Sequence, residues 1–327
     1  MLVRNRFATA IALALLASSL FAGDAHNVAT FSIVARDPAA GEIGVAVASR
    51  FFSVGSVVPW AKGDVGAVAT QAGANVSFGP RGLELMERGA SAEEVVAILL
   101  HNDPEAKKRQ IGVVAADGSS ASYTGPECQT WAGGRHGPNY AVQGNILAGE
   151  AVVVALEKAF LETKGTLADR MYAALLAGDA QGGDSRGRQS AVLIVVKPGA
   201  GFQATSDRAI DIRVDDSKDP FGELGRLLKI AQMNYSWNAG WTLFTQKKFA
   251  EALVAQERAA GLAPENPELL YDLGVIRLAA GKRDAALEAL EKALRLNPKL
   301  IKQATNDHDL DALRGDARFA KLIAAPK

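Results

Sequence analysis

The spacing of apolar and polar positions changes near residue 216. Before it, short apolar runs of strand length alternate with Gly-rich turns and with blocks of helical spacing. After it, nearly every segment carries helical spacing. Residues 28–36 and 43–50 read as two strands joined by the turn Asp37-Pro38-Ala39-Ala40-Gly41, a hairpin. Residues 65–71 form a third strand. Residues 83–86 and 92–101 have helical spacing, with Ser91 as N-cap of the second and Glu94 three positions on. Residues 110–116 and 121–124 form a second hairpin across Asp117-Gly118. A strand at 140–146, helices at 150–163 and 167–177, and strands at 190–196 and 210–214 follow. Strands and helix pairs in this order predict a layered α+β domain, with sheets covered by helices. The many Ala and Gly residues in the strands predict closely stacked sheets.

The helical part contains a repeat. Gly240, Ala252, Ala259 and Pro264 recur as Gly274, Ala286, Ala293 and Pro298, each displaced by 34 residues. That period, with small residues at these offsets, matches the tetratricopeptide helix-turn-helix. Gly and Ala let the two helices of a repeat touch, and Pro ends the second. Residues 307–323 read as the capping end of the array. Two repeats fall below the usual three, so they are expected to lean on the first domain or on another chain. The expected division is a leader at 1–25, an α+β domain at 26–232 and the repeats with their cap at 233–327.

Residues 1–25 read as a cleavable signal peptide. Arg4 and Arg6 precede an uncharged apolar run from Phe7 to Ala22, and small residues cluster at Ala22, Gly23 and Ala25. The run is short of the ~20 residues that cross a bilayer, so cleavage rather than anchoring is expected, with a periplasmic or secreted product. No later stretch is apolar enough to span a membrane. The chain has 36 basic and 36 acidic side chains. Losing Arg4, Arg6 and Asp24 moves the net formal charge from 0 to −1. Nothing in that balance suggests a phosphate-binding surface, so nucleic acid is not expected as a partner. Cys128 is the single cysteine, so no internal disulfide forms.

Most familiar chemistry is missing. His26, His101, His136 and His308 are scattered, without HxH, HExxH or CxxC spacing, so no metal and no other cofactor is expected. His308 reads as an exposed residue of the tail. The Gly-rich residues 182–190 lack the dinucleotide spacing and precede a strand, yet form a polar loop able to meet a ligand. No GxSxG elbow exists. Cys128 near His136 suggests a nucleophilic pair, but a buried or turn cysteine is the plainer reading. Thr30, by composition alone, is a β-branched strand residue.

Several segments together resemble the bacterial and archaeal family called domain of unknown function 1028. They are Thr30-Phe31-Ser32-Ile33-Val34-Ala35-Arg36-Asp37, Gly44-Val45-Ala46-Val47-Ala48-Ser49-Arg50, Val58-Pro59-Trp60-Ala61, Gly66-Ala67-Val68-Ala69-Thr70-Gln71-Ala72, Gly79-Pro80-Arg81-Gly82-Leu83, Arg109-Gln110-Ile111-Gly112-Val113-Val114, Val142-Gln143-Gly144-Asn145-Ile146-Leu147 and the Gly-rich loop. The resemblance covers about residues 29–230. It implies the four-layer αββα sandwich of the N-terminal-nucleophile (Ntn) hydrolases. It also implies, from the wider group, an amide-bond hydrolase in which an N-terminal Thr, Ser or Cys attacks and its own α-amine takes the proton. An α-amine titrates near ~7.7–8.0, which suits a general base. Thr30 corresponds to the Thr that often follows the start Met in cytoplasmic members. Asn145 is then a candidate oxyanion donor. Arg50, Gln71, Asn75 and Asp184 are candidates for binding a small amide or peptide-like ligand. Cleavage after Ala25 would leave His26-Asn27-Val28-Ala29 ahead of Thr30 and block that mechanism; cleavage before Thr30 would restore it. The alternative is a non-catalytic ligand-binding or scaffold protein on the same fold, with the repeats docking a protein partner or a second copy.

Overall fold

The computed structural model describes residues 30–324. The expected leader, its cleavage point, His26 and the first two residues of the expected first strand lie outside the described residues. The strands are β1 (Thr30–Asp37), β2 (Glu42–Ser49), β3 (Pro59–Lys62), β4 (Gly66–Ala72), β5 (Arg109–Ala115), β6 (Ser120–Thr124), β7 (Gly133–Gly137), β8 (Tyr140–Asn145), β9 (Ser190–Val196) and β10 (Arg208–Val214). The helices of eight residues or more are α1 (Phe78–Glu87), α2 (Ala92–His101), α3 (Glu150–Glu162), α4 (Leu167–Ala180), α5 (Pro220–Thr245), α6 (Phe249–Leu262), α7 (Pro267–Ala279) and α8 (Arg283–Leu296).

Two antiparallel sheets face one another. One has the order β10-β9-β2-β1-β8-β7 and the other β3-β4-β5-β6. Strand alternation sends each residue to one of two cores. Val34, Val45, Val47, Val192 and Ile194 meet Ala67, Ala69 and Val114 between the sheets. On the far side of the larger sheet, Phe31, Ile33 and Leu193 pack on Leu156 and Phe160 of α3, Met171 and Leu175 of α4 and Leu224 of α5. On the far side of the smaller sheet, Val68, Ile111 and Val113 pack on Phe78 and Met86 of α1 and Val95 and Leu99 of α2. The result is the expected four-layer αββα sandwich, followed by an all-helical array. Both faces of the central strands are buried, so they read as near-continuous apolar runs.

Two strands escaped the pattern and one helix was underestimated. Strand β3 is a four-residue edge strand that starts on a proline, and β7, Gly-Gly-Arg-His-Gly, is a largely exposed edge strand. Neither buries enough apolar surface to leave an alternation. Helix α1 runs through Gly79, Pro80 and Gly82, which mask its spacing. A Cβ at Gly79 would collide with the Trp60 indole, so the glycine is needed for that contact.

Helix α5 continues from the sandwich into the repeats. Its early residues Phe221, Leu224 and Leu228 belong to the sandwich core. Its late residues Trp241 and Phe244 pack against the core of Tyr271, Leu287, Leu290 and Leu294. The residue 232/233 boundary therefore falls inside one helix. Leu310, Leu313 and Phe319 from residues 307–323 complete the repeat core. His308 is exposed and faces Asp311 at 3.3 Å. Among the described residues no helix is long and apolar enough to cross a membrane.

The small residues of the repeats do what their spacing implied. A Cβ at Gly274 would lie 2.7 Å from Leu290 Cγ and 3.2 Å from the Ala286 carbonyl oxygen. Leu290 is fully buried and its Cγ lies too near the backbone to swing away. Gly274→Val is therefore expected to destabilise by about 2 kcal/mol, despite the better helix former, through overpacking. Thermal unfolding followed by circular dichroism measures this.

Candidate functional site

One end of the inter-sheet space is polar. The register places Thr30 opposite Ser49 on one side and Asn145 on the other, and Ser49 opposite Ser190. Directly opposed residues share a face. Ser190, Ser49, Thr30 and Asn145 thus form one row across β9, β2, β1 and β8, on the face that carries Val34 and Val47 further along. The facing sheet answers with a second row, because Gln71 pairs with Gln110 and Gln110 with Thr124. Thr30, Gln71, Gln110, Asn145, Ser49 and Ser190 are all buried.

The two rows are bonded together. Gln71 Nε2 donates to the Thr30 carbonyl oxygen at 3.3 Å and to Gln110 Oε1 at 2.8 Å. Asn145 Nδ2 donates to the same Gln110 oxygen at 3.0 Å. Gln110 Nε2 donates to Thr124 Oγ1 at 2.8 Å and to the Gly144 carbonyl at 2.7 Å. One layer deeper, Ser32 donates to Gln71 Oε1 and accepts from Gln143 Nε2, both at 2.6 Å. A Cβ at Gly112 would strike the Gln143 amide, so glycine there gives the amide its room. The Thr30 hydroxyl lies 3.3 Å from the Ser49 hydroxyl. A largely buried amide and hydroxyl network fixes side-chain positions, since an unmade bond costs its desolvation.

A pocket of about 230 Å³ opens beside this end, lined by Asn145, Ile146, Ala72, Lys108, Cys128 and their neighbours. Ala72 and Ile146 end β4 and β8 with φ of 61° and 53°. Left-handed backbone is unfavourable for alanine and more so for a β-branched residue, and such strain gathers at working sites.

The candidate residues divide accordingly. Thr30, Asn145 and Gln71 come together in the polar rows. Asp184 is buried at the adjoining strand end, where its carboxylate accepts from the Arg50 backbone N–H at 2.8 Å and from the Arg186 guanidinium at 3.0 Å. Arg50 is exposed, and its guanidinium donates to the Arg186 carbonyl at 3.3 Å. Arg50 follows directly on Ser49 of the hydroxyl row, and Asp184 is held beside it by the bond to its backbone N–H. Asn75 stands apart from these rows: its Oδ1 accepts from the Ser77 hydroxyl and backbone N–H in the turn before α1. The Gly-rich loop brings Asp184 into place through left-handed Gly182, Gly183 and Gly187 and a bridge from Asp184 to Leu147. Cys128 is a turn cysteine whose thiol faces the Arg109 carbonyl at 3.4 Å, and burial pushes that thiol above its ordinary range. It is poorly suited to attack. Among the described residues no cluster of His, Cys, Asp and Glu is fit for a metal ion. Gln110, the hub of the network, was not among the candidates. Its signal was present, as a lone amide in an otherwise apolar strand.

The polar end of the sandwich lies within the segment that a family model matches. Residues 30–224 match a family of unknown function, DUF1028. The chain belongs to this family. Residues 243–307 match the tetratricopeptide repeat. A solved DUF1028 structure, protein SPO2555 from Silicibacter pomeroyi, aligns at 29% identity and a TM-score of 0.57, covering 62% of this chain and 89% of that one. Anbu (ancestral beta-subunit) from Yersinia bercovieri aligns at 12% identity and a TM-score of 0.30, over 61% of this chain and 96% of that one, and bears on neither fold nor function. No curated protein matches. The DUF1028 portion is thus the sandwich with its polar end, and the repeats are an addition to it.

Proposed function

We propose that the protein is an exported amide-bond hydrolase, periplasmic or secreted, whose nucleophile is the Thr30 hydroxyl. The observation that supports this most is the polar row, which seats Thr30 on a central strand between Ser49 and Asn145, and Asn145 lines a pocket of about 230 Å³. Removal of the chain up to Ala29 frees the Thr30 α-amine. That amine takes the hydroxyl proton as Oγ1 attacks the substrate carbonyl. Asn145 stabilises the oxyanion with its amide N–H. The C–N bond breaks, the amine product leaves with the proton, and water then hydrolyses the Thr30 ester. Gln71, bonded to the Thr30 carbonyl, holds the nucleophile's backbone; Arg50 and Asp184 shape the rim. The tetratricopeptide repeats serve protein interaction, with a partner or with a second copy.

Mature protein recovered from an expressing cell is expected to begin at Thr30, as read by intact mass and N-terminal peptide. A mature N-terminus at His26 in a protein that still cleaves amides would sink the free-amine mechanism. The complete burial of Thr30 favours one alternative, a ligand-binding scaffold on the same fold. A His26 terminus with no hydrolysis of any small amide supports that reading.

A further inference from the structure

A second site lies far along the chain from the polar rows, where the loop at 199–206 meets the middle of α5. A groove of about 510 Å³ is lined by Phe202, Trp237 and Trp241, with the neutral amides Gln203, Asn234 and Asn238. The aromatic rings are held in place. Trp237 and Trp241 stand one turn apart on α5, and both indole N–H groups donate to the same oxygen, Asp272 Oδ2, at 2.7 Å. Their donors are therefore consumed, and what they offer the groove is ring faces. Phe202 is 74% exposed, which is unusual for a phenylalanine with no core to join. Asn238 pins its loop from both sides, donating to the Gly201 carbonyl and accepting from the Gln203 N–H, each at 3.0 Å. Gln203 and Ala204 take φ of 52° and 59° to hold that geometry.

We propose that this groove binds a small organic cation carrying a quaternary ammonium group. Aromatic faces gathered around one space attract a cation through the ring quadrupole, and quaternary ammonium ions are the ligands for which such cages are best known. Asp272 strengthens the attraction, because a carboxylate accepting an indole N–H pushes electron density into the ring. The direct lining contains no positive side chain. The adjoining cleft of about 240 Å³, which shares Phe202, Asn234 and Asn238, contains Arg208 paired with Asp211 at 3.4 Å. Among the described residues cation–π contacts go to Phe160, Phe221 and Phe319, and none to Phe202, Trp237 or Trp241. A compact hydrated ammonium such as lysine's costs more to desolvate than a methylated one, which favours the methylated ion.

Burial pushes the Asp272 carboxyl above its ordinary range, so the test titrates the full-length mature protein with choline at about pH 8, well above ordinary carboxylate titration, following tryptophan fluorescence and binding heat. The comparison ligand is 3,3-dimethylbutan-1-ol, the uncharged carbon isostere of choline. Choline is expected to bind saturably, and the isostere at least about tenfold more weakly. Phe202→Ala removes an exposed side chain that the fold does not need, and is expected to weaken choline binding several-fold. Asp272→Asn keeps an acceptor for the indoles and drops the charge, and is expected to do the same. No saturable response to choline, equal binding of the isostere, or unchanged choline binding in both variants overturns the proposal.

Discussion

Thr30→Ala is expected to abolish amide hydrolysis, lowering kcat/KM by at least about a thousandfold, because it removes the atom that forms the acyl intermediate. The same substitution is expected to cost only about 1 kcal/mol of stability. It deletes one hydroxyl that faces Ser49 and one methyl group, and leaves the Thr30 carbonyl in place to accept from Gln71. Activity and stability thus separate, which a merely structural threonine would not allow. Thr30→Ser keeps the attacking oxygen and is expected to retain activity within about tenfold. A measurement that needs no known substrate uses a β-lactone probe. The lactone acyl C–O bond breaks as Thr30 Oγ1 attacks, the hydroxyl proton passes by way of the α-amine to the ring oxygen released, and the adduct keeps every atom of the probe, so intact mass reports it. Labelling of the mature protein, lost in Thr30→Ala and kept in Thr30→Ser, is the expected result. Labelling that persists in Thr30→Ala places the nucleophile elsewhere. Full hydrolytic activity in Thr30→Ala removes the threonine from the chemistry altogether.

The sandwich was legible because its central strands are long, apolar and separated by turn residues, and because two of the helices covering them, α2 and α4, start on capping boxes. The Ser91–Glu94 capping box forms as its spacing implied. The 34-residue repeat was legible for a different reason. Helix contact distance restricts certain positions to Gly or Ala, and Gly240 and Gly274 face Gln256 and Leu290 closely. Edge strands β3 and β7 were not legible, since β3 is only four residues long and starts on a proline, and β7 is largely exposed. The site was legible only in part. Thr30 and Asn145 lie 115 positions apart in the chain, and only the register of β1 on β8 makes them neighbours. The network's hub was harder still. Gln110 gains its importance from Gln71 and Asn145, one on its own sheet and one on the facing sheet, and no linear pattern encodes an encounter between sheets. Asn75 shows the converse. It stands close to Gln71 in sequence, yet its side chain is used to shape a turn.

Gln110→Leu is expected to be among the most damaging single substitutions in the sandwich, although it conserves volume and adds apolar character. The Gln110 oxygen is the shared acceptor for Gln71 and Asn145, at 2.8 and 3.0 Å, and its amide serves Thr124 and the Gly144 carbonyl. Leucine leaves two amide donors and three oxygen acceptors, Thr124 Oγ1 and the Gly133 and Gly144 carbonyls, without that partner in a largely buried space. Each orphaned buried group costs about 1–3 kcal/mol, partly relieved by relaxation, so a net loss of about 4 kcal/mol is expected. For a chain of this size that corresponds to a fall in Tm of roughly 8–16 °C. Lost packing cannot account for a cost of that size here, because the substituted side chain fills the same space. A double-mutant cycle separates the causes. Gln71→Leu takes one of two donors from the Gln110 oxygen and leaves the Thr30 carbonyl and the Ser32 hydroxyl without that partner, whereas Gln71→Leu combined with Gln110→Leu removes both partners of one bond. The pair is expected to cost clearly less than the sum of the singles, by about 1–2 kcal/mol. Strict additivity would mean that the two amides act independently and that the network does not hold Thr30. The same coupling carries a kinetic signature. Any fraction of Gln110→Leu that remains folded is expected to show a reduced kcat, because Asn145 loses the acceptor that orients its amide toward the carbonyl under attack.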